Sequence, residues 1–102
     1  MNGYFGKLLR VNLTTGVISV DALDPATCMD FIGGRGLGTK LFYDEVGPHV
    51  DALSEANKLF FMTGPLTGAA VPTGGRYMVV TKAPLTGTIA SSNSGGHWGA
   101  EL

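Results

Sequence analysis

Glycine is the residue that most constrains how this chain can fold. The sequence holds 16 glycines in 102 residues, which is about 16% against a usual ~7%. Charged residues make up only 15% of the chain, compared with roughly 25% in an average soluble domain. The length fits one domain or a piece of one. Much glycine and little charge are typical of a domain with extensive loops, in which backbone segments approach one another closely.

Charge and cysteine content exclude several classes of protein. The formal net charge is −1 at pH 7 and no basic cluster appears, so we expect neither a nucleic-acid partner nor binding to an anionic membrane. The one cysteine, Cys28, cannot form a disulfide within the chain, and alone it cannot hold zinc or an iron–sulfur cluster. No apolar run is long enough for a membrane span or for the core of a signal peptide, so a cytoplasmic location is expected.

Alternating apolar residues predict that β-strands dominate the fold. Residues 4–13 alternate in the manner of a half-buried strand, and Thr14-Thr15-Gly16 connects them to 17–20 as a short hairpin with Gly16 in the left-handed conformation. Further strands are predicted at 58–63, 77–81 and 88–90.

Short helices are predicted to lie between these strands. Asp24-Pro25 is a helix start, because aspartate caps exposed N–H groups and proline suits the first helical position. We expect Gly33-Gly34 to end this helix. A second helix is predicted over 37–46 from apolar residues at helical spacing, and a third begins near the end of the chain. The predicted fold class is therefore α+β, dominated by β-sheet with two or three short helices.

An internal repeat links two strands to two pairs of glycines. FFMTGPLTG (60–68) matches VVTKAPLTG (79–87) at an offset of 19 residues. Each copy holds an apolar strand, a Pro-Leu-Thr-Gly turn and a polar loop that ends in Gly74-Gly75 or Gly95-Gly96. Pro-Leu-Thr-Gly alone can be an ordinary turn. Two such units favour two glycine-rich loops that lie close together, on the same edge of the sheet, and face one ligand.

The segment GGRGLGTK (33–40) matches neither of two familiar phosphate-binding motifs. The dinucleotide pattern G-x-G-x-x-G fails because Thr39 stands where the third glycine belongs. The phosphate-loop pattern fails because Thr39 and Lys40 are in reverse order. The segment is predicted to be a tight connection between helices, with Arg35 at its exposed tip.

Two other segments each predict an anion site. In PTGGRY (72–77), Arg76 follows two glycines and opens an apolar strand. Its guanidinium is either a solvated cap or a bidentate donor to an anion. In SSNSGGHWG (91–99), Asn93 offers oxygens to a hard cation such as Mg²⁺, and Gly95 leaves backbone N–H groups accessible before a helix start. The alternative for this segment is an ordinary capped helix.

The neighbouring aromatic and histidine residues carry weaker signals. His97 lies within the second segment and is a minor candidate for a ligand contact, whereas His49 is expected in a surface loop. Trp98 is interpreted as a packing anchor rather than a stacking platform. No nucleophile–base set and no paired carboxylates are apparent, so no catalytic residue is predicted.

Five long blocks of the sequence occur in the same order in a known family. They are YFGKLLRVNLTTG, FIGGRGLGTKLFYDE, NKLFFMTGPLTG, PTGGRYMVVTKAPLTGTI and NSGGHWGAEL. Together they resemble the N-terminal domain of tungsten-containing aldehyde ferredoxin oxidoreductases over essentially all 102 residues. The resemblance implies that residues 1–102 are an N-terminal tungstopterin-cradling domain, truncated relative to the full-length family.

The resemblance also implies a set of cofactors. Two pterin dithiolenes of a tungsten bis-molybdopterin would hold the metal, and Mg²⁺ would bridge the pterin phosphates. Arg76 would contact the phosphate region, Asn93 would contact the pterin and offer its main-chain carbonyl to Mg²⁺, and Gly95 would supply a backbone contact. The family's 4Fe-4S cluster takes its cysteine ligands from sequence that this chain lacks.

The implied reaction is the oxidation of aldehydes to carboxylic acids, with electrons passed through the 4Fe-4S cluster to ferredoxin. The expected partners are ferredoxin, the aldehyde substrate and the remaining chain of the enzyme, and a homo-oligomer is compatible with the sequence. We expect the 102-residue chain alone to be inactive and to expose an apolar face. Two alternatives stay open: the same domain in a low-potential aromatic acyl-thioester reductase subunit, and a non-catalytic standalone fragment.

Overall fold

Two small antiparallel sheets form the framework of the fold, in a computed structural model that describes residues 3–102. The first sheet is a hairpin of β1 (Lys7–Val11) and β2 (Ile18–Ala22). The second has the order β3-β4-β5 and is built from β3 (Phe60–Thr63), β4 (Tyr77–Lys82) and β5 (Ile89–Ser94).

Three helices complete the fold. Helices α1 (Pro25–Phe31) and α2 (Gly34–Glu45) follow the hairpin, and the single-turn helix α3 (Trp98–Glu101) follows β5. Sheets with short separate helices confirm the predicted α+β class. No helix within 3–102 is long and apolar enough to cross a membrane.

The predicted hairpin is present, and a polar turn closes it. The side-chain oxygen of Asn12 accepts hydrogen bonds from the N–H groups of Thr14 and Thr15, at 3.0 and 3.2 Å. Gly16 takes the left-handed conformation with φ of 74°, as its place in the turn predicts. The strand alternation is also correct, but the side that carries Leu9 and Val11 is the exposed one.

The junction between α1 and α2 differs from the prediction by a few residues. Asp24 caps α1 as expected and accepts from the N–H of Ala26 at 3.2 Å. However, the left-handed residue that ends α1 is Ile32, with φ of 50°, and α2 begins at Gly34 rather than near residue 37. Gly33 and Gly34 also have positive φ, and Gly33 packs closely, since a Cβ atom there would lie 2.9 Å from the carbonyl oxygen of Thr63.

The core forms where α2 packs against one face of the three-stranded sheet. The face of α2 that helical spacing predicted to be apolar is indeed buried, and Gly38 lies within it. A Cβ on Gly38 would lie 3.0 Å from a methyl of Val80, a fully buried residue of β4. Glycine therefore allows the helix backbone to approach the sheet closely. The buried apolar residues are Cys28, Leu37, Phe42, Val46, Phe60, Met62 and Val80.

Strand β5 is longer than the sequence predicted. The expected strand covered 88–90, whereas β5 runs from Ile89 to Ser94 and pairs with β4 along its whole length. A Ser-Ser-Asn-Ser run has low intrinsic strand propensity, so pairing with β4 is what holds it extended. As a result, Asn93 lies on a strand and not in a loop.

A network of charged side chains ties the hairpin to the end of α2. Arg10 on β1 donates to Asp21 on β2 and to both carboxylate oxygens of Glu45 on α2. Lys58 also contacts Glu45, at 2.9 Å. The hydrogen bonds from Arg10 hold the pKa of Glu45 below its usual value. Partial burial raises this pKa, whereas Lys58 lowers it further. The network thus joins three separate parts of the chain.

The opposite face of the hairpin is apolar and exposed. Leu9 opposes Val20 and Val11 opposes Ile18. All four residues are at least half exposed. The expected exposed apolar face is therefore present.

Replacing Ile32 with glycine should stabilise the protein by roughly 0.5–1 kcal/mol, because a β-branched residue is strained in the left-handed region. Little packing is lost, since Ile32 is 67% exposed. Urea denaturation would measure the change. Ile18 is a matched control at 66% exposure in extended backbone, where glycine should destabilise instead. Destabilisation by both substitutions would contradict the strain argument.

Acid should weaken the link between the hairpin and α2. A carboxyl with a lowered folded pKa contributes stability above its unfolded pKa of about 4.3, and this stability is lost as pH falls through the folded value. We expect Glu45→Gln to cost about 1–2 kcal/mol at pH 7 and to flatten the loss of stability between neutral and acidic pH. Urea titrations across that pH range would measure both effects.

Asp44→Asn is the control for this substitution. Asp44 forms an exposed pair with Lys40 on the same helix, at 2.9 Å, and such pairs contribute about 0.3–0.5 kcal/mol. Identical pH profiles for the Glu45→Gln variant and the unmodified protein would show that the network does not supply the acid-sensitive stability.

Candidate functional site

The two side chains that the sequence assigned to an anion and a cation site meet in the structure. Arg76 lies immediately before β4, and Asn93 lies near the end of β5, opposite Met78. A guanidinium nitrogen of Arg76 donates to the side-chain oxygen of Asn93. Arg76 is exposed, and no carboxylate of residues 3–102 lies within ion-pair distance of it. Most of its N–H donors therefore remain available to an anion.

The two glycine pairs lie against each other beside this contact. A Cβ on Gly75 would come within 3.0 Å of the carbonyl oxygen of Gly96. Any side chain at 75 would thus push the loops apart. Gly95 differs, because a Cβ there would meet no atom within 4 Å and its φ is not in the left-handed region. The expected proximity of the two loops, at one edge of the sheet, is confirmed.

The two glycine pairs meet, but not for the reason that the internal repeat suggested. Antiparallel neighbours run in opposite directions, so the turns after β3 and β4 lie at opposite ends of the sheet. The first Pro-Leu-Thr-Gly begins the long loop back to β4, whereas the second closes the tight β4–β5 hairpin. The stretch before Gly95-Gly96 is strand β5 itself. The glycine pairs meet because one precedes β4 and the other follows β5.

The main-chain carbonyl of Asn93 faces the open edge of the sheet. In an antiparallel pair only alternate opposed residues exchange backbone hydrogen bonds. The Ala83 N–H donates to the Thr88 carbonyl at 2.9 Å, so these two opposed residues are a hydrogen-bonded pair. Asn93 and Met78 lie five pairs further along the ladder and are therefore a pair without backbone hydrogen bonds between them. The Asn93 carbonyl therefore points away from β4. Within residues 3–102, β5 is the last strand of the sheet, so this oxygen is accessible to a cation or another ligand.

A groove of about 290 Å³ runs from Arg76 along the loop after β3. Its walls are mostly apolar, and Arg76 supplies the one charged group among the lining residues. Pro65, Leu66, Thr67 and Gly74 form the side nearest the loop, and Ile32 closes it from the junction of α1 and α2. The arrangement suits a ligand with an apolar or flat body and an anionic group at one end.

Strained backbone concentrates at this groove. Within residues 3–102, the non-glycine residues with positive φ are Ile32 and Thr73, at 50° and 59°. Both are β-branched, for which this conformation is a genuine outlier, and both line the groove. Strain of this kind is typical of ligand-binding segments. Sequence reasoning missed both residues, since neither stands in a recognisable turn motif with glycine at the strained position.

Other candidates lie outside the site or have structural roles. Trp98 contacts Tyr77 and Phe61, with ring centroids 4.5 and 5.5 Å apart, and so holds α3 against the sheet as a packing anchor. His97 is exposed and its side chain does not cap α3. Burial raises the pKa of the Cys28 thiol, and nearby Asp24 adds to this effect, so Cys28 is a protonated core residue.

The remaining candidate residues lie away from the groove. Arg35 is exposed in the first turn of α2, and His49 is exposed in the loop after this helix. Among residues 3–102, no group of three histidine, cysteine or carboxylate side chains could hold a metal ion. The candidate site therefore combines an exposed guanidinium with one main-chain carbonyl at the open edge of the sheet.

Comparisons with known proteins identify the family of the chain. The sequence model of the family described as "Aldehyde ferredoxin oxidoreductase, N-terminal domain" matches residues 8–102. The tungsten-containing aldehyde ferredoxin oxidoreductases of Pyrococcus abyssi and Pyrococcus horikoshii are 55% and 53% identical over 102 residues. Each alignment covers 100% of this chain and 17% of the relative.

A solved structure shares the fold. It is the active-site complex BamBC of benzoyl coenzyme A reductase with 1,5-dienoyl-CoA, matched with a TM-score of 0.95 and 36% identity. The match covers 98% of this chain and 15% of that one. The sequence family and the shared fold agree over nearly the whole chain, which therefore belongs to the N-terminal domain family of the aldehyde ferredoxin oxidoreductases.

Proposed function

We propose that this chain is the cofactor-cradling part of a tungsten enzyme that oxidises aldehydes to carboxylic acids. The observation that carries the proposal is the meeting of Arg76 and Asn93 where Gly75 and Gly96 touch. In this proposal the site binds the phosphates of a tungsten bis-molybdopterin. The chain spans about a sixth of its relatives, so the activity belongs to the longer polypeptide.

The chemistry of the site fits the phosphate groups of such a cofactor. A guanidinium pairs two oxygens of a phosphate at once. The Arg76 guanidinium has donors available because it is exposed and, within residues 3–102, its hydrogen-bond partner is the Asn93 amide oxygen. The surrounding glycines let a ligand approach the backbone closely, above all at Gly95, where the space beside Cα is open. Arg76 and the Gly95 backbone would thus hold the phosphate end.

Asn93 fits a role in holding Mg²⁺ against the phosphates. Mg²⁺ prefers oxygen ligands and keeps several waters, so one protein carbonyl beside phosphate oxygens is a typical environment for it. The main-chain carbonyl of Asn93 faces the open edge, while its side-chain oxygen accepts from Arg76. One residue would therefore place the cation and orient the guanidinium together.

In this proposal the cofactor carries out the redox chemistry and this chain positions the cofactor. When bound, the tungsten–pterin group would supply the two-electron redox chemistry. The exposed Arg76 guanidinium and the Asn93 carbonyl would hold its phosphate end. Ligands of a 4Fe-4S cluster, the contact with ferredoxin and the aldehyde pocket would come from the rest of the polypeptide. Arg76, Asn93 and Gly95 would position the cofactor, and hence its metal.

Replacing Arg76 with alanine should remove the anion donor and reduce cofactor retention. In a full-length polypeptide carrying this segment, we expect tungsten and phosphorus per protein to fall about tenfold or more, because a charge-assisted contact to phosphate is lost. Elemental analysis of the purified protein measures this. Arg35→Ala, an exposed arginine outside the groove, should leave the content unchanged. Normal tungsten in the Arg76 variant would refute the assignment.

A side chain at Gly95 should block the cofactor without unfolding the protein. Gly95→Val adds bulk where the structure has open space and ordinary φ, so the thermal midpoint should change little while the tungsten content falls. Gly47→Val is the matched control, because it is also free of positive φ and meets only Val50, at 3.9 Å. Equal tungsten in both variants would place the cofactor away from Gly95.

One second candidate function rests on the shared fold. The structural match to a benzoyl coenzyme A reductase complex supports the same cradle in a low-potential reductase of aromatic acyl-thioesters. Both candidates need the same phosphate site, so the variants above do not separate them. Assays of the full-length polypeptide do: aldehyde-dependent reduction of ferredoxin supports the first, and reduction of an aromatic acyl-CoA supports the second.

A further inference from the structure

The threonine of the first Pro-Leu-Thr-Gly turn is hydrogen-bonded to the backbone of Arg76. The hydroxyl of Thr67 lies 3.2 Å from the Arg76 carbonyl oxygen and 3.0 Å from the backbone nitrogen of Gly64. The backbone N–H of Thr67 also donates to the Gly64 carbonyl, at 3.1 Å, which closes the turn. Thr67 therefore bridges the end of β3 and the residue that begins the return into β4.

The Thr67 hydroxyl accepts one of these hydrogen bonds and donates the other. The Gly64 N–H can only donate, so the Thr67 hydroxyl accepts from it and uses its own proton on the Arg76 carbonyl. Arg76 lies one residue outside the β4 ladder, whose last pairs are made by Tyr77. The hydrogen bond from the Thr67 hydroxyl thus holds the Arg76 backbone just outside the paired part of β4.

The second copy of the turn offers an internal comparison. Thr86 occupies the same place in the second Pro-Leu-Thr-Gly, yet among the described residues its hydroxyl is hydrogen-bonded to Thr88 alone, at 2.9 Å between the hydroxyl oxygens and 3.4 Å to the Thr88 nitrogen. That contact stays within the β4–β5 hairpin, at the end of the sheet away from Arg76. Identical tetrapeptides therefore carry threonines with different roles, one local and one connected to the candidate site.

We propose that Thr67 is a positioning residue that orients Arg76 toward its anionic ligand. Through the Arg76 carbonyl it fixes the start of the arginine side chain, and so the direction of the guanidinium beside the groove that Thr67 and Arg76 both line. The inference rests on the proposed function, since it concerns how Arg76 is presented to a phosphate. It assigns no direct ligand contact to Thr67.

The test compares variants of the two threonines in a full-length polypeptide carrying this segment. Thr67→Val removes the hydroxyl but keeps the shape, and Thr67→Ser keeps the hydroxyl. We expect Thr67→Val to lower tungsten and phosphorus per protein about fivefold, the effect of losing one ordinary hydrogen bond. Thr67→Ser should retain nearly normal content, and Thr86→Val should be indistinguishable from the unmodified protein.

A double variant separates positioning from general damage. If Thr67 acts through Arg76, Thr67→Val combined with Arg76→Ala should lose no more tungsten than Arg76→Ala alone. Additive losses, failure of Thr67→Ser to restore retention, or an equal loss in Thr86→Val would each overturn the inference. Normal tungsten in Arg76→Ala would instead refute the proposed function itself. Loss in Arg76→Ala with full retention in a folded Thr67→Val would refute the role of Thr67 alone.

A structural measurement decides the matter if Thr67→Val fails to fold. A crystal structure of the loaded, unmodified polypeptide should show the Thr67 hydroxyl within hydrogen-bond distance of the Arg76 carbonyl, with the guanidinium on the phosphate. A hydroxyl turned away from Arg76 in that structure would overturn the inference.

Discussion

The packing of α2 against the three-stranded sheet is the contact on which the rest of the structure depends. Gly38 brings the helix onto Val80, and this close approach carries the start of α2 to the end of β3, where Gly33 meets Thr63. Gly33 has little space for a side chain, and Ile32, Gly33 and Gly34 all have positive φ. The contact between α2 and the sheet therefore forms the core and lies directly beside the strained Ile32, which lines the groove.

The candidate site is built at the edge of that core rather than within it. Arg76 and Asn93 stand at strand ends, where the ladder stops and backbone groups become available. Exposure leaves the guanidinium accessible to a ligand, while the neighbouring sheet limits where the Arg76 backbone can move. A phosphate-bearing cofactor would complete the electrostatics of this edge, because Arg76 has no carboxylate partner in the described chain.

The repeated Pro-Leu-Thr-Gly turn shows how identical local sequences acquire different roles. Both copies close a turn after a strand, as proline and glycine favour. Strand direction then places them at opposite ends of the sheet, so that Thr67 reaches Arg76 while Thr86 contacts only Thr88. Local chemistry is the same in both copies, and only the non-local neighbours differ.

The sequence by itself determined most of the elements and the family, and it supplied the candidate site residues. Apolar spacing, Asp24 as a cap and Gly16 in a turn are local signals, and local physics suffices to interpret them. The tertiary structure decided the rest. The extent of β5, the open carbonyl of Asn93 and the strain at Ile32 follow from pairing and packing with distant residues, and no local pattern encodes such contacts.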